Sequence, residues 1–245
     1  MTWLRSAAFN LWFFGGTLLF CLFSPAVWPL GEYRVLAYAR LWGRLMLVGL
    51  RAICGIRWEV TGLEHLPREQ PALIASMHQS AFDTVIWTVL APRFAYVLKR
   101  ELTRIPLFGQ LLLRSGMIPI DRSAGAAAMR ALLRAADRAV AERRQVVIFP
   151  EGTRVAPGER APLHPGVAAL AARTRLPVIP VVTDSGEYWG RRAFRKRAGV
   201  IRIAILPPLP AGLKREELLA RLAALFSTGI PRAVENSVGD AARRL

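Results

Sequence analysis

His78 and Asp83 are the residues of this sequence whose types and spacing best suit proton transfer. They lie five positions apart, after the apolar run 72–75 and before the apolar run 85–90. This pattern predicts a strand-to-helix corner at the rim of a sheet, where α/β proteins bind ligands. An imidazole, with an ordinary pKa of about 6.5, accepts a proton near neutral pH, and a nearby carboxylate can fix its tautomer. We therefore predict His78 as a general base and Asp83 as its orienting partner.

A second interpretation is purely structural. Ser80-x-x-Asp83 also fits a capping box, in which both residues only start a helix and His78 is a loop residue. This stretch alone supports the two interpretations equally, although a carboxylate can accept enough hydrogen bonds to serve both. A covalent route through Ser76 or Ser80 is a rival mechanism, but neither serine lies in the G-x-S-x-G elbow of hydrolases.

The elements that must position these residues form an alternating pattern after residue 56. Strands are predicted at 58–61, 72–76, 95–98, 117–120, 146–149, 178–182 and 200–206. Helices are predicted at 81–90, 107–114, 125–143, 166–173 and 215–226. This alternation predicts an α/β fold, with a central, largely parallel sheet flanked by helices, in one domain over 57–245.

Residues 1–56 differ from the rest in composition. No charged residue lies between Arg5 and Glu32, and the run is long enough to cross a bilayer; no A-x-A-like site suggests a cleaved signal. Residues 33–56 are amphipathic, with an apolar stripe at helical spacing (Leu41, Leu45, Val48 and Ala52) and arginines on a neighbouring face (Arg40, Arg44 and Arg51). We predict an N-terminal membrane-anchoring helical segment over 1–56. It would form either a hairpin in one leaflet or one span followed by an interfacial helix, with a plain core helix as the alternative for 33–56.

The charge and composition limit the class of partner. The chain has 34 Lys and Arg against 17 Asp and Glu, a net charge of +17, with 53% hydrophobic residues. A disordered basic chain would lack this apolar content, so the surplus suits nucleic acid, anionic lipid or a phosphorylated small molecule. Two isolated cysteines and three dispersed histidines predict no disulfide framework and no metal site.

Three further segments have chemistry-bearing residues beside predicted strands. Lys99 and Arg122 lie at two strand ends, where cations suit a phosphate. Pro180 lies inside a buried strand, which indicates a bulge or an edge. A glycine, a hydroxyl and an arginine suited to gripping phosphate follow the strand 146–149, in the run Phe149-Pro150-Glu151-Gly152-Thr153-Arg154.

Together, these four segments resemble the glycerolipid acyltransferases in order and spacing, over roughly residues 61–210. The resemblance is to the bacterial 1-acylglycerol-3-phosphate acyltransferases, which make phosphatidic acid. It implies His78 as the base and Asp83 as its partner. It also implies an acceptor site made by Glu151, Gly152, Thr153 and Arg154, assisted by Lys99 and Arg122, with Pro180 shaping the cleft.

The resemblance also implies the reaction and the location. The predicted activity is acyl transfer from an acyl thioester to the sn-2 hydroxyl of lysophosphatidic acid, with another lysolipid such as lyso-ornithine lipid as the alternative acceptor. The donor is either acyl-CoA or an acyl-acyl carrier protein, and no cofactor is expected. We expect the protein at the bacterial inner membrane, and the basic flanks Arg5, Arg34 and Arg40 favour a catalytic domain on the cytoplasmic side.

A basic run, residues 191–197, supports a distant alternative, a non-catalytic protein that binds a membrane surface or nucleic acid. No nucleic-acid-binding signature accompanies this run, so we do not expect nucleic acid as a partner. We interpret the run as contacting lipid headgroups or the phosphates of an acyl carrier.

Overall fold

A computed structural model describes residues 2–230, the side chain of Arg122 excepted. Its seven strands form one sheet in the order β1-β7-β6-β2-β5-β3-β4. The strands are β1 (Ile56–Thr61), β2 (Ala72–Ser76), β3 (Phe94–Lys99), β4 (Ile118–Ile120), β5 (Gln145–Ile148), β6 (Val178–Thr183) and β7 (Gly199–Ile205). All pairs are parallel except β6 with β7. The predicted α/β class and largely parallel sheet are confirmed.

Helices cover both faces of this sheet. They are α1 (Thr2–Phe23), α2 (Glu32–Cys54), α3 (Phe82–Leu90), α4 (Phe108–Arg114), α5 (Gly125–Ala141), α6 (Gly166–Thr174), α7 (Ser185–Tyr188) and α8 (Arg215–Thr228). The core on one face includes Met46 of α2 and Trp87 of α3, whereas the core on the other includes Leu132 of α5 and Leu222 of α8. All five helices predicted after residue 56 are present. The short α7 was not predicted.

The centre of the sheet is apolar on both faces, as expected for parallel strands covered on both sides. All five residues of β2 are buried, and so are all four of β5. Pro180 lies within β6, opposite Ala75 of β2. The antiparallel pairing of β6 shifts by one residue between Val181↔Ile205, at the end of β7, and Val178↔Leu209, beyond β7. A proline inside a buried strand predicts such an irregularity.

The N-terminal segment is a pair of helices. A 3-10 helix, Ser24–Leu30, joins α1 to α2. Tyr38 donates its hydroxyl to the Phe20 carbonyl at 2.9 Å, and Trp12 donates its indole N–H to the Leu45 carbonyl at 3.2 Å. Gly43 allows α2 to approach α3, because a Cβ there would lie 1.9 Å from Thr88 Oγ1. The pair is therefore fixed to the body of the protein.

The two faces of α2 have different surroundings. Met46, Leu47 and Leu50 are buried against the body, whereas Leu41 and Val48 of the predicted apolar stripe are 48% and 59% exposed. The predicted stripe thus faces outward, beside exposed arginines, while a second apolar set makes the core contact. α2 is thus a packed helix, as the core interpretation of 33–56 predicts, and its apolar and basic outer face is compatible with the interfacial interpretation, which stays a prediction. The division at residues 56 and 57 stays a prediction.

The first 29 described residues are suited to a membrane. The segment Thr2–Leu30 is long and apolar enough to cross one, by length and composition, and 11% of its apolar window is buried. A core helix of comparable hydropathy would be mostly buried, which excludes that explanation here. An N-terminal signal sequence has the same length and composition, but this helix packs on the body through α2. These features indicate membrane association.

Candidate active site

The carboxyl ends of four neighbouring strands bring the predicted site residues to one edge of the sheet. His78 follows β2, Lys99 ends β3, and residues 151–154 follow β5. The chain after β6 reaches the same edge with Asp184 and Ser185. Ligands of open α/β sheets bind in the crevice outside the carboxyl ends of the strands. The predicted site residues after β2, β3 and β5 therefore lie at one edge of the sheet, as the sequence predicted.

His78 and Asp83 face each other across the turn into α3. Nδ1 of His78 lies 3.4 Å from Oδ2 of Asp83, at the long end of hydrogen-bonding distance. The His78 ring stacks on Phe149 with 4.2 Å between centroids. With a proton on Nδ1 directed at the carboxylate, Nε2 keeps its lone pair and can accept a proton. This is the tautomer that a general base requires.

Asp83 is held by more than the histidine. Its Oδ2 accepts the backbone N–H groups of Gln79 at 2.7 Å and Ser80 at 2.8 Å, and its Oδ1 accepts the Ser185 hydroxyl at 2.6 Å. The Ser80 hydroxyl accepts the Phe82 N–H at 3.1 Å. Asp83 thus caps the start of α3 and contacts the imidazole at once. The capping and catalytic interpretations are compatible.

The geometry does not favour a serine nucleophile. Ser80 is fully buried with its hydroxyl at the helix start. Ser76 is 2% exposed, and its hydroxyl bonds the Met77 carbonyl and accepts the indole N–H of Trp87. Neither serine lines the cavity described below.

The loop that holds His78 is fixed by segments distant in sequence. The His78 N–H donates to Oε2 of Glu151 at 2.6 Å, and the His78 carbonyl accepts the Val155 N–H at 2.8 Å. Gln79 accepts the N–H of Gly186 through its side-chain carbonyl at 3.0 Å. The contribution of Ser185 and Gly186 was missed from the sequence, although a polar cluster directly after a buried strand is the signal that marked the other segments.

Glu151 lies behind His78, the predicted base. Its side chain is 6% exposed, and it is absent from the lining of the main cavity. Burial raises the pKa of Glu151 to about 8; the His78 N–H opposes this rise and the Asp83 charge adds to it. The carboxyl is therefore largely protonated at neutral pH, and its clearest contact is with the backbone of His78. Its predicted role in lining the acceptor site stays a prediction.

The Glu151 environment predicts how stability depends on pH. Below its ordinary pKa of 4.5 the carboxyl group is protonated in both the folded and the unfolded chain. Its contribution to the free energy of unfolding is therefore at its full value in that range. Between pH 4.5 and about 8 only the unfolded chain releases the proton, so the free energy of unfolding falls with pH, by about 5 kcal/mol in total. Glu151→Gln should flatten this part of the profile, as measured by chemical unfolding at several pH values. An unchanged slope would contradict the assignment.

A large cavity opens at the same edge. Its volume is about 820 Å³, and its lining includes His78, Lys99, Gly152, Thr153 and Arg154. It extends to the N-terminal helices, where it is lined by Thr17, Phe20, Cys21, Tyr38, Ala39 and Trp42. One end of the cavity thus has an imidazole and cations, and the other is mainly apolar. This division suits an amphipathic molecule with an anionic headgroup.

The remaining predicted residues are placed as follows. Pro180 is buried within β6 and is absent from the cavity lining. Arg122 starts a 3-10 helix after β4, and its side chain lies outside the described part of the structure. His164 also lines the cavity, and its backbone N–H donates to the Pro150 carbonyl at 2.8 Å. Residues 2–230 contain no cluster of three His, Cys, Asp or Glu that could hold a metal.

Comparison with known proteins identifies the family of this chain. Residues 57–184, from β1 to the end of β6, match the family described as Acyltransferase. The chain belongs to this acyltransferase family and is an enzyme of that class.

Individual proteins that are similar to this chain have names more specific than that of the family. The chain is 35% identical over 219 residues to the 1-acyl-sn-glycerol-3-phosphate acyltransferase of Pseudomonas aeruginosa, covering 89% of this chain and 82% of that protein. It is 33% identical over 180 residues to the bovine 1-acyl-sn-glycerol-3-phosphate acyltransferase alpha, covering 72% of this chain and 63% of that protein. The crystal structure of the 1-acyl-sn-glycerophosphate (LPA) acyltransferase from Thermotoga maritima superposes with a TM-score of 0.76 at 22% identity. The superposition covers 96% of this chain and 97% of that chain. That likeness shows the fold.

Proposed function

We propose that this enzyme transfers a fatty acyl group from a thioester to the sn-2 hydroxyl of lysophosphatidic acid, forming phosphatidic acid for phospholipid synthesis. The observation that carries the proposal is that His78, paired with the buried Asp83, lines a cavity with cations at one end and an apolar lining at the other. The relatives named for this reaction support the choice of acceptor.

The proposed chemistry needs one base and no covalent enzyme intermediate. Nε2 of His78 takes the hydroxyl proton as that oxygen attacks the thioester carbonyl. A new C–O ester bond forms, the C–S bond breaks, and the imidazolium returns its proton to the leaving thiolate. Asp83 stabilises the imidazolium while it carries that proton. The cavity contributes by holding both substrates in attack geometry.

The proposal extends to the substrates and the location. Lys99 and Arg154, with Arg122, would bind the acceptor phosphate, and the apolar lining would take an acyl chain. The donor would be acyl-CoA or an acyl-acyl carrier protein, with no cofactor. The exposed apolar faces of α1 and α2 support direct contact with a bilayer. We place the protein at the bacterial inner membrane with its catalytic end in the cytoplasm.

A crossed panel of substrates tests this proposal. Purified protein in nonionic detergent would be given lysophosphatidic acid, other lysophospholipids and lyso-ornithine lipid, each with acyl-CoA and with acyl-acyl carrier protein. We expect the highest kcat/KM with lysophosphatidic acid and a product acylated at the sn-2 position, as identified by mass spectrometry. Preference for a lysolipid without phosphate would refute the acceptor assignment.

A further inference from the structure

The basic run at residues 191–197 lies partly at the cavity and partly inside the protein. Arg191 and Arg192 line the cavity beside Arg154. Lys196 is 3% exposed, so it is no surface charge. The prediction that the whole run contacts lipid headgroups or carrier phosphates is therefore wrong for Lys196. The run therefore contains two kinds of residue, arginines that line the cavity and a buried lysine.

Lys196 fastens this segment to α1. Its backbone N–H donates to the Ser6 hydroxyl at 2.9 Å, and its ammonium group donates to the Asn10 side chain and to the Phe194 carbonyl. The ammonium group also lies 5.4 Å from the ring centre of Trp189. A buried lysine with these partners holds the segment in one position.

The loop that carries Arg191 is closed on itself. The Arg197 N–H donates to the Tyr188 carbonyl at 2.9 Å, and the Ala193 N–H donates to the Gly190 carbonyl at 3.1 Å. Arg192 has a φ of 56°, a left-handed conformation that costs energy in a residue other than glycine. The surrounding contacts therefore impose the loop conformation, which places Arg191 beside the cavity.

Arg191 and Arg154 are close neighbours of like charge. Nη1 of Arg191 donates to the Arg154 carbonyl at 3.3 Å. Burial lowers the pKa of Arg154, and the Arg191 charge lowers it too, against the Asp83 charge. Within residues 2–230, neither arginine forms an ion pair with a carboxylate. Two unpaired guanidinium groups at one cavity favour an anion that bonds both.

We propose that Arg191 is a second guanidinium ligand of the acceptor phosphate, beside Arg154, and that the pair selects phosphomonoester over phosphodiester headgroups. This inference rests on the proposed function. A phosphate monoester carries a charge of about −1.5 to −2 at pH 7 and has three terminal oxygens, enough for two guanidinium groups. A phosphodiester carries one charge and has two free oxygens, so it gains less from the second arginine.

Arg191→Gln tests the proposal, with Arg197→Gln as its matched control. Arg197 is exposed in the same run, is absent from the cavity lining, and its replacement removes the same charge. In nonionic micelles, R191Q should raise the KM for lysophosphatidic acid roughly 10- to 100-fold, the effect of losing one charge-assisted contact. Its kcat and the KM of the acyl donor should stay within about threefold of wild type, and R197Q should resemble wild type. R191K should be intermediate, because lysine keeps the charge without the planar fork.

Three results would overturn the inference. They are equal effects of R191Q and R197Q, a raised KM for the donor in place of the acceptor, and an effect that needs anionic vesicles and vanishes in neutral micelles. The last would assign Arg191 to bilayer headgroups. A second measurement separates this inference from the proposed function: glycerol 3-phosphate should protect wild type and R197Q from thermal unfolding but not R191Q. If wild type acylates no lysophosphatidic acid yet shows this protection, the proposed function fails while the phosphate site stands; absence of protection in wild type would overturn the site.

Discussion

Replacing His78 with alanine is expected to lower kcat by about 10²- to 10⁴-fold, the usual contribution of a placed general base. The change removes the only predicted proton acceptor and a ring that stacks on Phe149. It leaves the backbone N–H of His78 free to keep its bond to Glu151. Steady-state rates with lysophosphatidic acid, together with thermal unfolding, would separate a catalytic loss from a folding loss.

Ser80→Ala is the matched control for this variant. Ser80 is two residues away and lies at the start of α3, so its loss should cost about 1 kcal/mol of stability through the helix cap. Its kcat should remain within a fewfold of wild type. Substantial residual activity in H78A, or a comparable loss in S80A, would contradict the base assignment and favour the covalent route.

Asp83→Asn is expected to leave the fold nearly intact while lowering kcat by about 10²- to 10⁴-fold. The amide oxygen can still accept the N–H groups of Gln79 and Ser80, and the amide nitrogen can donate to the Ser185 hydroxyl, which also accepts. What the variant lacks is the negative charge that stabilises the imidazolium. The variant therefore separates the capping role from the catalytic role.

Asp83→Ala provides the comparison, since it removes the cap and the charge together. We expect its free energy of unfolding to be lower than that of D83N by roughly 1–3 kcal/mol, because buried N–H groups are left without an acceptor. If Asp83 served only as a cap, D83N would keep nearly full activity and D83A would lose stability. Measuring kcat and the free energy of unfolding for both variants decides between these outcomes.

The apolar stripe of α2 shows how far periodicity reaches. Spacing along the sequence correctly predicted a helix with an apolar stripe at Leu41 and Val48, because helical periodicity is a local property of the chain. It did not predict that a second apolar set, including Met46 and Leu50, makes the core contact. A helix with apolar residues on two faces has no preferred inner face until α1 and α3 pack against it.

The basic run at residues 191–197 shows that a charge pattern in the sequence is limited in the same way, because it does not reveal which side chains become buried. In sequence, Lys196 and Arg191 belong to one basic stretch, and both were interpreted as contacting headgroups or phosphates. The structure buries Lys196 against α1, in contact with Asn10, 186 positions away. Only the packing of a distant helix could separate a structural lysine from a cation at the cavity.

The sequence by itself determined the fold class, the seven strands and the place of His78 and Asp83 at the carboxyl edge of the sheet. Each follows from local patterns: runs of buried residues define strands, and polar residues directly after them mark the carboxyl edge of a parallel sheet. The tertiary structure alone decided that Ser185, 102 positions from Asp83, fixes the carboxylate, and that Glu151 bonds the backbone of His78. These contacts join the ends of different strands, and the strand order that makes β2 the neighbour of β5 and β6 is set by packing of the whole sheet.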